Sequence, residues 1–405
     1  MPYPRKNQGD EIMGRILVLC LLVGILTGCY DQSPIERRAL VMVIGFDKGE
    51  EKAVAIIPDI HNPKQSDANT QVGPQATAGP AILAPRLEGD TIEDAIESGK
   101  KRLPRILDFG LTGAIVISER AARDGIFPFL SWSLFQPTVR NNAFVMVTPS
   151  DLQSLFTEKA KTVEGTQGGN VIVSQLVSDT KSAGIARVHL WEAYRTYLDR
   201  TGCITTPYIR LVDGKVSYDG AAVFHYDKMV GRVDSKETAL MMMVLVERTP
   251  YLYTFHFDSP DGGGQKTDPQ TKGQANRRND KSSNVTLRVQ TVKRTYQVER
   301  VGPKQYSVII KVDMDGMLSD ANPPQVRYST EDFEAMGEQA TEAMHRDLEA
   351  LMNKTQKQMG ADVFHIGRYV RPIDIEEWRS MDWHEVFPTI PVEFEVKVRI
   401  LGATR

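Results

Sequence analysis

Four consecutive residues near the start of the chain, Leu26-Thr27-Gly28-Cys29, have the types and order of a lipid-attachment site. They close a short apolar run that follows a single basic residue, Arg15. This layout is typical of a secretory signal peptide, and the run is too short to cross a bilayer comfortably as a helix. The pattern predicts cleavage before Cys29, whose sulfur would carry a diacylglyceryl group and whose new amino group would carry an acyl chain.

An ordinary secretory peptide that happens to contain a cysteine is the alternative for this segment. The small residues just before Cys29, and the end of the apolar run there, favour lipid attachment. Residues 1–28 are therefore predicted to be the signal. Asp10 and Glu11 are unfavourable ahead of an apolar core, so Met13 is a more suitable translation start than the first residue.

Beyond the signal, the composition is that of a globular protein, with 41% hydrophobic and 25% charged residues. The 405 residues suffice for two or three domains with a buried core. A net charge of −3 gives no overall basic footprint for nucleic-acid binding. No later segment has the apolar length of a membrane-spanning helix. Cys203 is the one cysteine that follows Cys29, so an intrachain disulfide is not expected and a small buried side chain is.

The hydrophobic periodicities predict strands and helices in mixed order. This is typical of an α+β fold with largely antiparallel sheets and helices packed on them, in two to three domains. The N-terminal α/β region, 29–210, is predicted to contain strands at 38–47, 52–57, 114–117 and 143–148 and helices at 91–102, 119–135, 150–161 and up to 199. Residues 61–90 read as a surface loop, and 201–207 as a domain junction. A division of 29–210 into two subdomains stays open.

The remaining residues, 211–405, are predicted to form an α+β domain. Its expected elements are strands at 220–226, 285–298, 305–317 and 392–400, a helix at 235–245, and a long helix that a capping box at Ser329 opens and Gly360 ends. Residues 259–283 are polar and rich in Gly, and we expect an exposed insertion there. The last strand alternates strictly between apolar and charged residues, as in an antiparallel sheet covered on one side.

The chain carries no sequence signature of a catalytic or metal site. It contains no Gly-x-Ser-x-Gly, no Gly-x-x-x-x-Gly-Lys-Ser/Thr and no His-Glu-x-x-His. His225 ends a predicted strand, so we interpret it as structural or solvated, and His384 lies in an aromatic-rich packing corner. Metal ligation is the alternative for both. The aromatic residues of 251–257 predict a core strand, with a partner interface as the alternative.

The order of several short motifs resembles the Ger(x)C family of spore germination lipoproteins. The strongest likeness in the C-terminal half lies in the stretch 218–231 and in Ala361-Asp362-Val363-Phe364-His365-Ile366-Gly367, Trp378, Trp383 and Val386-Phe387-Pro388. In the N-terminal half the likeness lies in Gly28-Cys29-Tyr30-Asp31, 39–47, 107–110, 115–119 and Arg140-Asn141. The resemblance covers nearly the whole chain after the signal. Tyr30 stands where the family usually has Trp.

This resemblance implies the C subunit of a GerA-type nutrient germinant receptor. Such a subunit is expected to be anchored on the outer face of the spore inner membrane, beside an A subunit with several membrane spans and a transporter-like B subunit. The resemblance further implies a mixed α/β architecture of three domains without enzymatic activity or cofactor. It identifies no ligand-binding residue.

The sequence leaves three function classes for this protein. The leading hypothesis is a non-enzymatic receptor subunit required for nutrient-triggered germination. The alternative is a solute-binding lipoprotein of a transporter, a class that usually has two doubly wound lobes rather than long alternating antiparallel strands. A surface-anchored hydrolase is disfavoured because the sequence lacks nucleophile and metal signatures.

Overall fold

The structure is a computed structural model that describes residues 15–16, 37–61, 82–157, 172–173, 184–246, 251–258, 282–322 and 328–403. The lipid-attachment motif with Cys29 lies outside these residues, and so does the predicted insertion except for its last two residues. Of the predicted loop at 61–90, residues 62–81 lie outside as well.

The larger of two sheets is built mainly by the N-terminal half. Its strands are β1 (Arg38–Lys48), β2 (Val54–His61), β3 (Ile82–Leu83), β4 (Leu87–Gly89), β5 (Ile106–Asp108), β6 (Ala114–Ser118), β7 (Phe144–Thr148), β8 (Thr205–Val212), β9 (Lys215–His225) and β10 (Lys228–Val233). The spatial order is β10-β9-β8-β7-β6-β1-β2-β3, with β4 paired to β2 and β5 to β1. The centre, β1 with β5 to β8, is parallel, whereas both flanks are antiparallel.

Short helices cover both faces of this first sheet. They are α1 (Ile92–Lys100), α2 (Glu119–Asp124), α3 (Phe127–Phe135), α4 (Leu152–Thr157) and α5 (Leu190–Asp199). Apolar residues of α1, α2, α3 and α5 join one core, and those of α4 join the core on the opposite face. The buried central strand β6 is apolar at four successive positions, as expected for a parallel strand covered on both sides. Parallel strands in the centre make this half α/β in character.

The second sheet is built from the C-terminal half, in the order β11-β12-β13-β14. Its strands are β11 (Tyr251–Asp258), β12 (Ser282–Gly302), β13 (Gln305–Asn322) and β14 (Val392–Ala403). Helices α6 (Ser235–Leu245) and α7 (Thr330–Met352) pack on it, followed by a π-helical turn (Asn353–Gln358), α8 (Gly367–Val370), α9 (Ile375–Arg379), α10 (Trp383–Val386) and a 3-10 turn (Phe387–Thr389). The predicted mixed α+β architecture, with helices packed on sheets, is thus confirmed.

The last strand departs from its predicted setting. β14 alternates as expected, but it pairs with β13 in parallel, with Val308 opposite Val392. Alternation reports only that one face is covered, and here α7 covers it while crossing between the two strands. The direction of the neighbouring strand leaves no mark on that pattern, which is why the antiparallel expectation was wrong at this edge.

Local signals in the sequence predicted several element ends correctly. The hydroxyl of Ser329 accepts a hydrogen bond from the Asp332 N–H at 3.1 Å, and the Asp332 carboxylate accepts one from Ser329 N–H, which confirms the capping box. The Thr91 hydroxyl likewise accepts a hydrogen bond from the Asp94 N–H and caps α1. The aromatic segment β11 buries its alternate residues, so the core-strand interpretation is confirmed.

Strand β9 joins the two halves because its side chains point alternately into two different cores. Ala222 and Phe224 belong to the core beneath the first sheet, whereas Ala221 and Val223 belong to the core of the second sheet. Cys203, just before β8, is buried in this second core as predicted, and burial raises its pKa well above the usual thiol value. The domain boundary predicted at residue 210 precedes β9 and stays a prediction.

Candidate functional sites at the inter-sheet contact and a charged cleft

Two corners that are far apart in sequence meet where the halves of the molecule join. The first is the turn after β9, with His225 and Tyr226, and the second is α10, with His384. The His384 ring lies 5.1 Å from the His225 ring and 4.3 Å from the Tyr226 ring, centroid to centroid. The Tyr226 hydroxyl donates a hydrogen bond to the Asp382 carboxylate. We call this region, together with residues 361–367 and 201–203, the inter-sheet contact.

A fully buried carboxylate organises the inter-sheet contact. The Oδ1 atom of Asp362 accepts a hydrogen bond from Ile366 N–H at 2.9 Å, and Oδ2 accepts bonds from Gly367 N–H and Trp383 Nε1, each also at 2.9 Å. Its backbone carbonyl accepts a bond from Cys203 N–H at 3.1 Å. Asp362 thereby connects the start of α8, helix α10 and the segment before β8.

Close approach of the two chain segments explains the small residues of this contact. His365 has a left-handed backbone, with φ of +54°, and its Nδ1 atom would lie 2.1 Å from a Cβ placed on Gly202. A Cβ on Gly367 would lie 2.7 Å from both the Thr201 carbonyl oxygen and the indole nitrogen of Trp383. Only glycine fits at these two positions, because a side chain would push the halves apart.

Burial shifts the pKa values of three side chains in the inter-sheet contact. It raises the pKa of Asp362 to about 6, against the opposing effect of its three N–H donors. It lowers the pKa of His384 to about 4, with the neighbouring His225 acting in the same direction. Burial, assisted by Arg368, lowers the pKa of His365 to about 3. Both histidines are therefore neutral at physiological pH, and the Nδ1 atoms of both are buried without a hydrogen-bond partner.

A second candidate site is a cleft of about 540 Å³ at the carboxyl ends of β1, β6 and β7. In open α/β sheets, ligands commonly bind outside the carboxyl ends of parallel strands. Polar and charged side chains dominate its lining: Asp47, Glu50, Ser118, Glu119, Arg120 and Arg123. The position and the polar lining make it a candidate site for a small polar solute.

The groups of this charged cleft are largely engaged with one another. Asp47 accepts hydrogen bonds from Ser118 at 2.5 Å, from Arg120 Nε at 2.6 Å and from Arg86 at 2.9 Å. Burial opposes its ionisation, but the bonds from Arg120, Ser118 and Arg86 prevail and lower its pKa to about 2. Ser118 thus donates to a carboxylate that is ionised at neutral pH and is a poor general base there, an arrangement unlike that of an activated nucleophile.

Sequence reasoning located some of these residues and missed others. His225 and His384 were interpreted as structural, and the structure confirms packed positions for both; what the sequence did not reveal is that they stack on each other. Asp47 and Arg120 were not singled out. The sequence could have indicated them by their positions: Asp47 lies at the end of the buried parallel strand β1, and Arg120 follows the buried parallel strand β6. Parallel sheets commonly place the polar residues of a binding site there.

In the part of the chain that the structure describes, no group of three His, Cys, Asp or Glu side chains is placed to hold a metal ion. Among the same residues, no helix has both the length and the hydrophobicity needed to span a bilayer.

Two family models match this chain. One, described as "Spore germination protein N-terminal domain", matches residues 31–211, and the other, described as "Spore germination B3/ GerAC like, C-terminal", matches residues 219–403. The interval between the two lies near the predicted boundary at 210. Together the matches cover nearly all of the chain that follows the predicted signal.

Individual relatives agree with the family models. The chain is 20% identical to "Spore germination protein KC" of Bacillus subtilis (strain 168) over 412 residues, which cover 95% of this chain and 94% of that protein. Its fold is similar to that in the "Crystal Structure of the GerBC protein", with a TM-score of 0.50, 14% identity, and coverage of 88% of this chain and 96% of that one. On the two family models, the chain belongs to the GerAC-like family of spore germination proteins.

Proposed function

We propose that this protein is the non-enzymatic, lipid-anchored C subunit of a nutrient germinant receptor, and that it is required for nutrient-triggered germination. The single observation that carries the proposal is the match of both family models, N-terminal and C-terminal, in order along one chain. The tightly packed inter-sheet contact supports it, because such a contact suits a rigid binding module. In this proposal the partners are the A and B membrane subunits, on the outer face of the spore inner membrane.

Lipidation at Cys29, after cleavage within the motif Leu26-Thr27-Gly28-Cys29, is the proposed anchor. A single acyl chain binds a bilayer only marginally, whereas two or more hold a protein firmly. The diacylglyceryl group supplies two chains, and the acyl chain on the new N-terminus supplies a third. Anchoring would turn association with the membrane subunits into a quasi-intramolecular event and raise its effective concentration.

The test is nutrient-triggered release of dipicolinate from three spore strains. One lacks this protein, one carries Cys29→Ala, and one carries Cys203→Ala, which removes the other cysteine of the mature chain and serves as a matched control. We expect loss of the response to some nutrients in the first strain, a weakened response in the second, and a normal response in the third. A normal response from correctly secreted Cys29→Ala protein would contradict the anchor, and an unchanged response to every nutrient without the protein would contradict the receptor role.

The charged cleft favours one other function, that of a solute-binding lipoprotein. A cleft of about 540 Å³ at the ends of β1, β6 and β7 has the size and polarity for a small polar solute. Against this stands the second sheet, which does not repeat the parallel architecture of the first. Titration calorimetry with a panel of nutrients separates the two: a solute binder gives heat at micromolar ligand, and a scaffold subunit gives none.

A further inference from the structure

Six cationic side chains lie on the side of the first sheet where the central strand β1 begins. This basic edge consists of Arg37, Arg38, Lys100, Lys101, Arg102 and Arg105. The fold brings them together because α1 runs back along the sheet and ends there, and the following turn leads into β5, whose first residue, Ile106, is registered with Arg38 of β1. Residues separated by some sixty positions in the sequence therefore share one small surface.

The charge of the basic edge is only partly balanced. Glu97 pairs with Lys100 at 2.6 Å, and Asp108 pairs with Arg38 at 2.9 Å. The other four cations form no ion pair with any residue that the structure describes. With Glu97 and Asp108 the six cations leave a local charge of +4, and Glu93, whose charge also acts on Lys100, reduces it to +3, in a chain whose net charge is −3. Overall basicity of the protein cannot account for this local excess.

The basic edge also presents apolar surface. Ile106 is 58% exposed, and Pro104 beside it is exposed as well. Cations that surround an exposed apolar side chain are the combination by which peripheral proteins contact lipid, since the charges meet anionic headgroups while the apolar group enters the interface.

The length of chain before β1 limits how far this edge can lie from a lipid anchor. The described chain resumes at Arg37, eight residues after Cys29, and eight residues span at most about 28 Å when fully extended. If Cys29 is lipidated, as the proposed function holds, the start of β1 is tethered within that distance of the bilayer. The basic edge is the surface at the start of β1.

We propose that the basic edge lies against an anionic lipid surface and sets the orientation of the protein on the membrane. The acyl chains supply attachment and the cations supply the orientation, as two signals that act together. The charged cleft lies at the opposite ends of the parallel strands, so in this orientation it opens away from the lipid.

The expected size of the effect follows from the charge. Each Lys or Arg near an anionic bilayer contributes about a fivefold increase in binding, the equivalent of about 1 kcal/mol. Neutralising three of them should weaken binding about a hundredfold. Because exposed charges are screened within a Debye length of about 8 Å at physiological salt, binding should also fall as salt is raised.

The experiment measures co-sedimentation with vesicles of the chain 29–405 carrying Cys29→Ala, so that no lipid contributes. Vesicles contain either phosphatidylcholine alone or equal parts of phosphatidylcholine and phosphatidylglycerol. The triple variant Lys101→Gln/Arg102→Gln/Arg105→Gln tests the basic edge. The control triple Arg288→Gln/Lys293→Gln/Lys397→Gln removes the same charge from exposed positions on the second sheet. Circular dichroism checks that both triples are folded.

We expect salt-sensitive binding to the anionic vesicles, lost about a hundredfold in the basic-edge triple and retained in the control. Equal weakening of vesicle binding in both triple variants would overturn the proposal. Equal binding to vesicles with and without phosphatidylglycerol would overturn it as well, and an acidic protein segment would then be the partner of the basic edge. Lipidation of Cys29 is measured separately, by the mass of the mature protein from membranes. A negative vesicle result would therefore contradict the orientation proposal without contradicting lipidation of Cys29. An unlipidated Cys29 would contradict the anchor without changing the vesicle result.

Discussion

Acidification should loosen the inter-sheet contact, because His365 and His384 are held neutral within it. Burial, with Arg368 for the first and His225 for the second, lowers their pKa values to about 3 and about 4. In the unfolded chain both return to about 6.5. As the pH falls below that value, protons bind the unfolded chain before the folded one, so the stability present at neutral pH is progressively lost.

The magnitude follows from these values. Between about pH 7 and about pH 5, each histidine removes about 2 kcal/mol from the free energy of unfolding. Asp362 acts in the opposite direction, because its pKa is raised to about 6 and the folded state takes up that proton first. Its contribution over the same interval is a gain of about 1 kcal/mol, which leaves a net loss of about 2 to 3 kcal/mol.

Urea unfolding at several pH values measures this loss, and tryptophan fluorescence suits it because Trp383 donates to Asp362 in the contact itself. The variants are His365→Asn, since asparagine tolerates the left-handed backbone at that position, and His384→Gln. Each removes one titrating group and should therefore reduce the acid-induced loss by about 2 kcal/mol relative to the wild type. Stability at neutral pH is compared separately, because each replacement also changes packing.

The matched controls are His256→Gln and His345→Gln, whose imidazole rings are exposed at the surface of the second sheet and of α7. They should leave the acid-induced loss unchanged. If His365→Asn and His384→Gln lose as much stability as the wild type between neutral and acidic pH, the burial argument is refuted. An equal reduction in the two control variants would refute it as well.

Two further substitutions test other parts of the fold. Gly220→Ala should lower the free energy of unfolding by more than about 3 kcal/mol, because its φ is +89° and the new Cβ would lie 1.9 Å from the Val233 carbonyl oxygen; Gly184→Ala, which meets only ordinary contacts, is the control in thermal unfolding. Asp47→Asn should cost about 3 kcal/mol at neutral pH, since it removes the carboxylate that Arg120 and the largely buried Arg86 share and leaves Arg86 with Glu88 as its remaining close partner. That difference should shrink as the pH falls from about 4 towards 2, where wild-type Asp47 is itself protonated; a constant difference in urea unfolding would argue against the ion pair.

The sequence predicts local structure well where one interaction decides it. The cap at Ser329 and the alternation of β14 depend on neighbours along the chain or on a single covered face, and both are confirmed. The helix 235–245 was predicted with the bounds that the structure shows, and there Asp234 and Glu237 form a capping box at its start.

Features that depend on pairing between distant segments were not predictable. Nothing in β14 indicates that its neighbour is parallel, since that direction is set by the crossover through α7. The stacking of His225 on His384 depends on how the end of β9 is placed against the C-terminal helix α10, and the hydrophobic periodicity of neither segment indicates that placement. The basic edge was missed for the same reason: its members come from β1, α1 and the turn after α1, and only the sheet brings them together.

The position of β14 in the chain has a consequence for how the protein is made. This strand leaves the ribosome some seventy residues after β13, the strand with which it pairs. One face of α7 remains uncovered until β14 arrives. Closing so long a loop is entropically slow compared with forming a hairpin. Chains interrupted before β14 would thus expose both an unpaired strand edge and an apolar helix face, the two features that promote aggregation. The second sheet therefore stays incomplete until the twelve residues of β14 have been synthesised.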